Sequence, residues 1–221
     1  MNSFTEENYL KAIFKLHEKG RKKINTNAIA AMLDTTPASV TDMMRKLKEK
    51  HLINYEKYKG VSLTPSGRKV AVNTIRKHRL WEMFLVDKLE FQWDEVHEIA
   101  EELEHINSEA LVRKLDKFLL YPRFDPHGDP IPDKDGVFQA SKSFPLSELA
   151  SNARAIVSGV VDHSPVFLQY IKRIGLEIGK EVMMKEKLEY DKSCSVMLKS
   201  LKSGIHISHD VARNILVSGN R

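Results

Sequence analysis

The proline-rich segment between residues 121 and 144 constrains the fold most, because it separates two stretches of chain with different hydrophobic patterns. It contains four prolines and two glycines, residues that interrupt helices and strands. Before it, hydrophobic residues recur mostly at helical spacing, and after it short apolar runs are separated by glycines. We therefore predict a mainly α-helical first part, a linker at residues 122–143, and a small β-rich domain at residues 144–221 that forms a partly open barrel.

The composition is typical of a soluble globular protein, with 42% hydrophobic and 29% charged residues. No apolar run approaches the roughly 20 residues that a membrane-spanning helix needs, and the first residues include acids where a secretory signal needs positive charge. We therefore expect a cytoplasmic protein that does not act on a membrane. The single cysteine, Cys194, excludes an intrachain disulfide and a zinc site of several cysteines, and we expect it to be a small core residue.

Charge is unevenly distributed along the chain. Residues 1–90 carry 18 basic and 10 acidic side chains, whereas residues 91–143 carry 6 basic and 12 acidic ones. A basic first part suits a polyanion such as DNA, and an acidic middle suits cations. Solvated helix faces are the alternative explanation, which charge alone does not exclude.

Two short helices joined by a turn are predicted between residues 26 and 50. The second helix has a good start, because Thr36 can cap it and Pro37 fits its first position. Its inward-facing apolar residues recur at helical spacing: Val40, Met43, Met44 and Leu47. Residues 52–64 then alternate on either side of a turn at Lys59-Gly60, which predicts a β-hairpin. A helix-turn-helix followed by a hairpin is a winged helix-turn-helix.

A winged helix reads DNA bases with the exposed start of its second helix and contacts phosphates with flanking cations. The residues expected at the exposed start are Thr36, Ala38, Ser39, Thr41 and Asp42. The expected phosphate contacts are Arg45, Lys46, Lys48 and Lys50 on the helix, with Lys57, Tyr58 and Lys59 at the wing tip. Winged helices also serve as protein-interaction modules, but the basic excess favours DNA. Because no Arg or Gln lies at the front of the helix, we expect specificity to rest on phosphate placement and DNA shape.

The segment from residue 97 to residue 105 contains the strongest candidate metal ligands. If it is helical, at about 100° per residue, one face carries His97, Glu101, Glu104 and His105. A second pair, His78 and Glu82, lies one helical turn apart nearby. Carboxylates and imidazoles form a plausible ligand set for a divalent metal. The alternative is an ordinary charged helix face exposed to solvent.

Several motifs in this order resemble the diphtheria-toxin-repressor family of iron- and manganese-dependent repressors, and most closely its three-domain manganese transport regulators. The motifs are Tyr9-Leu10 with Ile13 and Phe14, the helix from Thr36 to Leu47, Leu63-Thr64-Pro65-Ser66-Gly67, Arg76-Lys77-His78-Arg79-Leu80, and Leu103-Glu104-His105. Residues 146–217 resemble the SH3-like domain also seen in ferrous-iron transport protein A.

The resemblance implies three domains around the linker: a winged-helix domain at residues 1–73, a helical dimerisation and metal-binding domain at residues 74–121, and a C-terminal SH3-like barrel at residues 144–221. It implies a homodimeric repressor, not an enzyme, that binds a palindromic DNA operator of metal-uptake genes when it holds its metal. The main alternative is a winged-helix regulator that senses a non-metal ligand. A metalloenzyme is disfavoured because the sequence shows no separate acid–base pair or nucleophile elbow, and an adaptor acting through the C-terminal domain is a third alternative.

The resemblance also implies two ligand sets. One comprises Asn8, Glu101, Glu104 and His105, and the neighbouring one comprises His78, Glu82 and His97. In three-domain members the linker and the last domain add ligands, and the matching positions here are Asp125, His127 and His163, with Asp162 as an alternative to His163.

Three positions depart from the family pattern. Asn8 stands where Asp or Met is typical, Asp125 replaces a linker cysteine, and Lys11 stands where the two-domain manganese regulators have a second carboxylate. Iron-type members have cysteine at the position of Glu101, and a hard oxygen there moves the preference toward manganese. The expected cofactor is therefore Mn²⁺, with Fe²⁺ as the alternative and no other small-molecule ligand.

Overall fold

The computed structural model describes residues 2–20, 23–56, 60–198 and 204–219. The chain forms two compact units. The first unit comprises Met1–Trp81, Ala100–Leu115 and Pro132–Phe138, and the second comprises Glu82–Ile99, Asp116–Ile131 and Gln139–Arg221. The domain boundaries expected from the sequence stay a prediction. Within the described ranges, no helix has the length and hydrophobicity needed to cross a bilayer.

The winged helix-turn-helix of the first unit is confirmed. Its elements are α1 (Phe4–Glu18), α2 (Thr26–Met32), α3 (Pro37–Glu49), β1 (Ile53–Glu56) and β2 (Gly60–Leu63), after which α4 (Pro65–Leu89) begins. As predicted, Thr36 caps α3 by accepting a hydrogen bond from the Ser39 amide at 3.2 Å, and Pro37 is the first helical residue. The two strands pair antiparallel, with Ile53 opposite Leu63. Lys57, Tyr58 and Lys59 lie outside the described residues, so their expected phosphate contacts stay predictions.

The core of the first unit explains why its helices pack as they do. Leu10 and Ile13 of α1 meet Val40, Met44 and Leu47 of α3 in one buried cluster. Their three- and four-residue spacings place them on one face of each helix. Burial of each such side chain contributes roughly 1.5–3 kcal/mol, so α1 and α3 are held in one hydrophobic core.

The later part of the chain contains α5 (Val96–Leu103), α6 (Glu109–Phe118) and a β-rich region. The β-rich region comprises β3 (Phe144–Pro145), a 3₁₀ turn (Leu146–Glu148), β4 (Arg154–Val160), α7 (Pro165–Arg173), β5 (Glu181–Lys187), β6 (Cys194–Leu198), β7 (Ile205–Ile207), α8 (His209–Arg213) and β8 (Ile215–Ser218). The strands form one six-stranded sheet in the order β3-β8-β4-β5-β6-β7, with antiparallel neighbours. Cys194 is buried in the hydrophobic core of this region, as expected.

The proline-rich segment is more than a connection outside the core, and the sequence interpretation is wrong on that point. Asp125, His127 and Ile131 are buried. The His127 carbonyl accepts a hydrogen bond from the Val160 amide of β4 at 3.0 Å. Prolines prevent this segment from forming a regular element, but its backbone and polar side chains find partners in β4 and in local turns.

Gly128 allows the segment to approach β4 closely. Its φ of +87° lies in the left-handed region, and an added Cβ would lie 2.1 Å from the Ser158 carbonyl oxygen. Glycine is therefore required there by both conformation and space.

Replacing Gly128 by alanine tests this close approach, with G179A as a matched control. Gly179 also has a positive φ, +84°, but an added Cβ there would meet no described atom within 4 Å. Both variants place alanine in a left-handed conformation that costs about 1–2 kcal/mol, whereas only G128A adds a backbone clash. We expect G128A to lower the free energy of unfolding by about 1 kcal/mol or more beyond the loss in G179A, measured by urea denaturation. Equal losses would contradict the close approach.

Candidate metal centres

The predicted helical face of four ligands is only partly correct. Helix α5 ends at Leu103, so Glu104 and His105 lie in the turn that follows it. The Glu104 amide still donates to the Ala100 carbonyl at 2.9 Å, which continues the helical hydrogen bonding by one residue. Glu101, Glu104 and His105 join a cluster in the first unit, whereas His97 contacts Glu82 in the second unit.

The first centre is a cluster of polar side chains from α1, α4 and the end of α5. Its members are Glu7, Lys11, Lys77, His78, Glu101, Glu104 and His105, all within the first unit. Glu104 is fully buried at 0% exposure, and Lys11 is 5% exposed. Buried charges require close partners, and each buried carboxylate here has a cationic or imidazole partner.

The Lys11 ammonium lies between two carboxylates of the first centre. Its Nζ donates to Glu101 Oε1 at 2.7 Å and to Glu104 Oε1 at 2.5 Å. Burial acts to raise the pKa of Glu101, but the charge and hydrogen bond of Lys11 outweigh it and lower the pKa. Glu101 is thus stabilised in its charged form by a cation that belongs to the chain itself, and the same cation contacts Glu104.

Glu7 orients His105 toward the carboxylates. His105 Nδ1 donates to Glu7 Oε2 at 2.8 Å, and His105 Nε2 lies 3.7 Å from Glu104 Oε1. Phe4 stacks on the imidazole at a centroid distance of 4.7 Å. Metal-ligating histidines typically donate their other ring nitrogen to a carboxylate or carbonyl in this way, so Nε2 is positioned as a ligand atom.

His78 completes the first centre, and Asn8 follows Glu7 on α1. Asn8 Oδ1 is buried and has no hydrogen-bond partner among the described residues, which is rare for a buried acceptor. His78, which the resemblance implied as a partner of Glu82 and His97, has its Nδ1 2.7 Å from Glu104 Oε2. The ligand roles of both residues stay predictions.

The second centre comprises Glu82 of α4, His97 of α5, Asp125 and His127 of the proline-rich segment, and His163 after β4. Glu82, Asp125 and His127 are buried and each offers a ligand atom within 4.8 Å of the others. His97 Nδ1 lies 3.4 Å from Glu82 Oε1, and His127 Nδ1 lies 3.6 Å from Glu82 Oε2. Two carboxylates and an imidazole therefore converge in the second centre.

His127 is oriented by the main chain. Its Nε2 donates to the Trp93 carbonyl at 2.8 Å, and its Nδ1 is buried without a hydrogen-bond partner among the described residues. Burial disfavours the charged imidazole, but the neighbouring carboxylates of Glu82 and Asp125 raise the pKa of His127 to about 9. Nδ1 is thus positioned either to hold a proton or to bind a cation.

His163 and its alternative, Asp162, have different surroundings. The His163 ring stacks on His127 at a centroid distance of 4.8 Å, and burial lowers the pKa of His163. Asp162 Oδ1 accepts a hydrogen bond from the Ser164 amide at 2.9 Å, at the start of α7. His163 is thus packed against the second centre and Asp162 supports a turn, and the ligand role of either residue stays a prediction.

Two residues of the first centre, Glu7 and Lys77, were missed by sequence reasoning. Glu7 and Lys77 contact each other in the first centre, with 3.8 Å between Glu7 Oε2 and Lys77 Nζ. The one available signal was that each charged residue lies on a helix face that otherwise carries buried apolar residues. Leu10 follows Glu7, and Leu80 follows Lys77, at helical spacing.

The candidate DNA-reading surface lies on α3. Ala38, Ser39, Asp42, Arg45 and Lys46 are exposed, whereas Thr41 is partly buried and donates its hydroxyl to the Pro37 carbonyl at 2.8 Å. Lys50 differs from expectation, because its ammonium is bound by both carboxylate oxygens of Glu6 at 2.7 and 2.8 Å. Glu6 lies on α1, so this ion pair joins α1 to the C-terminal cap of α3.

Comparison with known proteins matches three successive parts of the chain to three domain families. Residues 2–61 match the family described as iron dependent repressor, N-terminal DNA binding domain, and residues 64–133 match its metal binding and dimerisation domain. Residues 144–219 match the FeoA domain.

Three similar proteins cover most of the chain between them. The iron-dependent repressor IdeR of Mycobacterium leprae is 31% identical over 77% of this chain and 77% of its own length. IdeR of Mycobacterium tuberculosis is 37% identical over 58% of this chain, and the chain spans about half, 55%, of that relative's length. A solved manganese-dependent transcriptional repressor in complex with manganese is 32% identical, with a TM-score of 0.85 over 96% of this chain and 98% of its own.

Replacing Glu82 by glutamine tests the second centre. Glutamine keeps the size of the side chain but removes the charge from a residue that is 2% exposed. We expect E82Q to bind about one Mn²⁺ ion fewer per chain than the unchanged protein, measured by equilibrium dialysis with metal analysis. E102Q, which changes an exposed glutamate of α5, serves as the control. A full complement of Mn²⁺ in E82Q would argue against this centre.

Proposed function

Since the chain belongs to the iron-dependent repressor family, we propose that it is a metal-dependent repressor of transcription that binds its DNA operator when it holds Mn²⁺, or Fe²⁺ as the alternative. It acts as a homodimer on a palindromic operator of metal-uptake genes in the cytoplasm, and it catalyses no reaction. The observation that carries this proposal is the first centre, where donors from α1 and from residues 101–105 meet in the same compact unit as the winged helix.

The donors of both centres fit a hard divalent cation. The first centre offers carboxylate oxygens and the oriented Nε2 of His105, and the unpartnered Asn8 carbonyl oxygen belongs to the residue after Glu7 on α1. The second offers Glu82, Asp125 and the unpartnered Nδ1 of His127. Oxygen and imidazole donors without thiolate suit Mn²⁺ and Fe²⁺. A bound ion supplies positive charge that draws these donors together.

Glu7 and Glu6 give α1 two separate attachments. Glu7 accepts a hydrogen bond from His105 in the first centre, and Glu6, the preceding residue, holds Lys50 at the end of α3. Because α1 and α3 also share one hydrophobic core, a restraint on α1 is passed on to α3, the recognition helix. Ordering of α1 by the donors of the first centre therefore favours one placement of the two recognition helices in a dimer.

A dimer that presents two recognition helices reads a palindrome whose half-sites lie in successive major grooves. By thermodynamic linkage, metal and DNA must raise each other's affinity by the same factor. Small residues at the exposed start of α3 let it approach the bases closely, and the flanking cations contact phosphates.

Replacing Glu104 by glutamine tests the coupling of metal to DNA. Glu104 is fully buried and contacts both Lys11 and His78, so its charge is central to the first centre. We expect Mn²⁺ to tighten operator binding by the unchanged protein about tenfold or more, and by E104Q less than about twofold. Fluorescence anisotropy with an operator selected from random duplexes measures this, and E102Q is the control. A full Mn²⁺ response in E104Q would remove the proposed coupling.

Replacing Lys46 by alanine tests the phosphate contacts of α3. Loss of one phosphate contact weakens binding to all sequences and reduces the slope of log affinity against log salt by about one. K134A removes an exposed lysine outside the winged helix, 85% exposed at its side chain, and we expect it to leave the slope unchanged. Salt titrations of operator binding measure both variants, and identical slopes for them would contradict the assignment of Lys46.

A further inference from the structure

Lys11 lies in the first centre, although a metal site does not require a lysine there. Its side chain is 7% exposed and contacts both Glu101 and Glu104. These two residues are also the carboxylates that the proposed metal site uses. A protonated ammonium has no lone pair and cannot be a ligand, so its presence there needs a separate explanation.

The charges of the first centre explain why an internal cation is useful. Glu104 is fully buried and Glu101 is partly buried, and two carboxylates held close together in a protein interior repel each other. Lys11 bonds to one oxygen of each, which offsets that repulsion. The same contact occupies carboxylate oxygens that a divalent ion would need.

We infer that Lys11 is a built-in competitor of the divalent cation: it holds Glu101 and Glu104 together without metal, must leave them for metal to bind, and so sets the metal concentration to which the protein responds. This inference rests on the proposed metal-dependent function. It concerns the regulation of the first centre, since the second centre has no lysine among its described members.

The chemistry of a lysine side chain permits the exchange. A lysine side chain is a compact charge on a flexible four-carbon stem, so the ammonium can move away while α1 stays in place. Lys15, one helical turn further along α1, acts on the same two carboxylates through space. It therefore provides a matched control, because its removal deletes the same charge from the same helix without removing the contact made by Lys11.

The test compares Mn²⁺ affinities of K11Q, K11R and K15Q in a chain that also carries E82Q, so that the first centre is measured alone. Glutamine still donates hydrogen bonds but has no charge, whereas arginine keeps the charge. We expect K11Q to bind Mn²⁺ about tenfold or more tightly than the parent chain, and K15Q to show a smaller gain. K11R should show no gain. Electron paramagnetic resonance of the free ion measures each dissociation constant.

Thermal unfolding of the same variants supplies a second readout. Without metal, K11Q should melt at a lower temperature than the parent, because the two carboxylates have lost their cation. With saturating Mn²⁺, it should show the larger rise in melting temperature. A Mn²⁺ affinity of K11Q equal to or weaker than that of the parent would overturn the inference and assign Lys11 a purely structural role.

A measurement on the unchanged protein guards against a variant that fails to fold. Trace acetylation of lysines, quantified by mass spectrometry, should modify Lys11 weakly without metal and several-fold more strongly with Mn²⁺, with Lys15 as the internal reference. Unchanged labelling of Lys11 at saturating Mn²⁺ overturns displacement. If the parent chain binds no Mn²⁺ at all, the proposed function and the inference both fail. If it binds and K11Q gains nothing, only the inference fails.

Discussion

The buried ion network around Lys11 is the interaction on which the first unit depends. It joins α1 to residues about ninety positions later in the chain, Glu101 and Glu104. Charges removed from water are stabilised only when their partners are close and well placed, so this network fixes the separation between α1 and the end of α5. Because α1 also contributes to the core of the winged helix, the geometry of the polar cluster and that of the DNA-reading helix are determined together.

Both centres contain a cation of their own, but of different kinds. In the first centre it is the Lys11 ammonium, which contacts Glu101 and Glu104. In the second centre it is the imidazole of His127, whose pKa is raised to about 9 by Glu82 and Asp125 despite burial. A metal must displace a whole side chain in the first case and only a proton in the second. The group that competes with metal is therefore different in the two centres, although the ligand atoms that they offer are similar.

Residues close together in the sequence predicted the helices and strands. The two candidate metal centres are formed by residues far apart in the sequence. The capped start of α3 at Thr36 and the hairpin were visible in the sequence because each depends on neighbouring residues. The end of α5 before Glu104 and the short strands β3, β7 and β8 were not, since two to four residues carry too little periodicity. The contacts of Glu7 with His105 and of Lys50 with Glu6 join residues 98 and 44 positions apart. No spacing rule reaches that far, so only the folded chain reveals them.

The internal cations of the two centres have little effect on which divalent metal the protein prefers. A competitor such as Lys11 weakens binding of every divalent ion by a similar factor, because it acts through charge. The order of intrinsic affinities, in which Mn²⁺ and Fe²⁺ are among the weakest, is left unchanged. Nor does a thiolate contribute, since Cys194 is the sole cysteine of the sequence and is buried in the β-rich core. Preference for Mn²⁺ must therefore come from ligand geometry and from the metals available in the cell, while Lys11 sets how much metal is required.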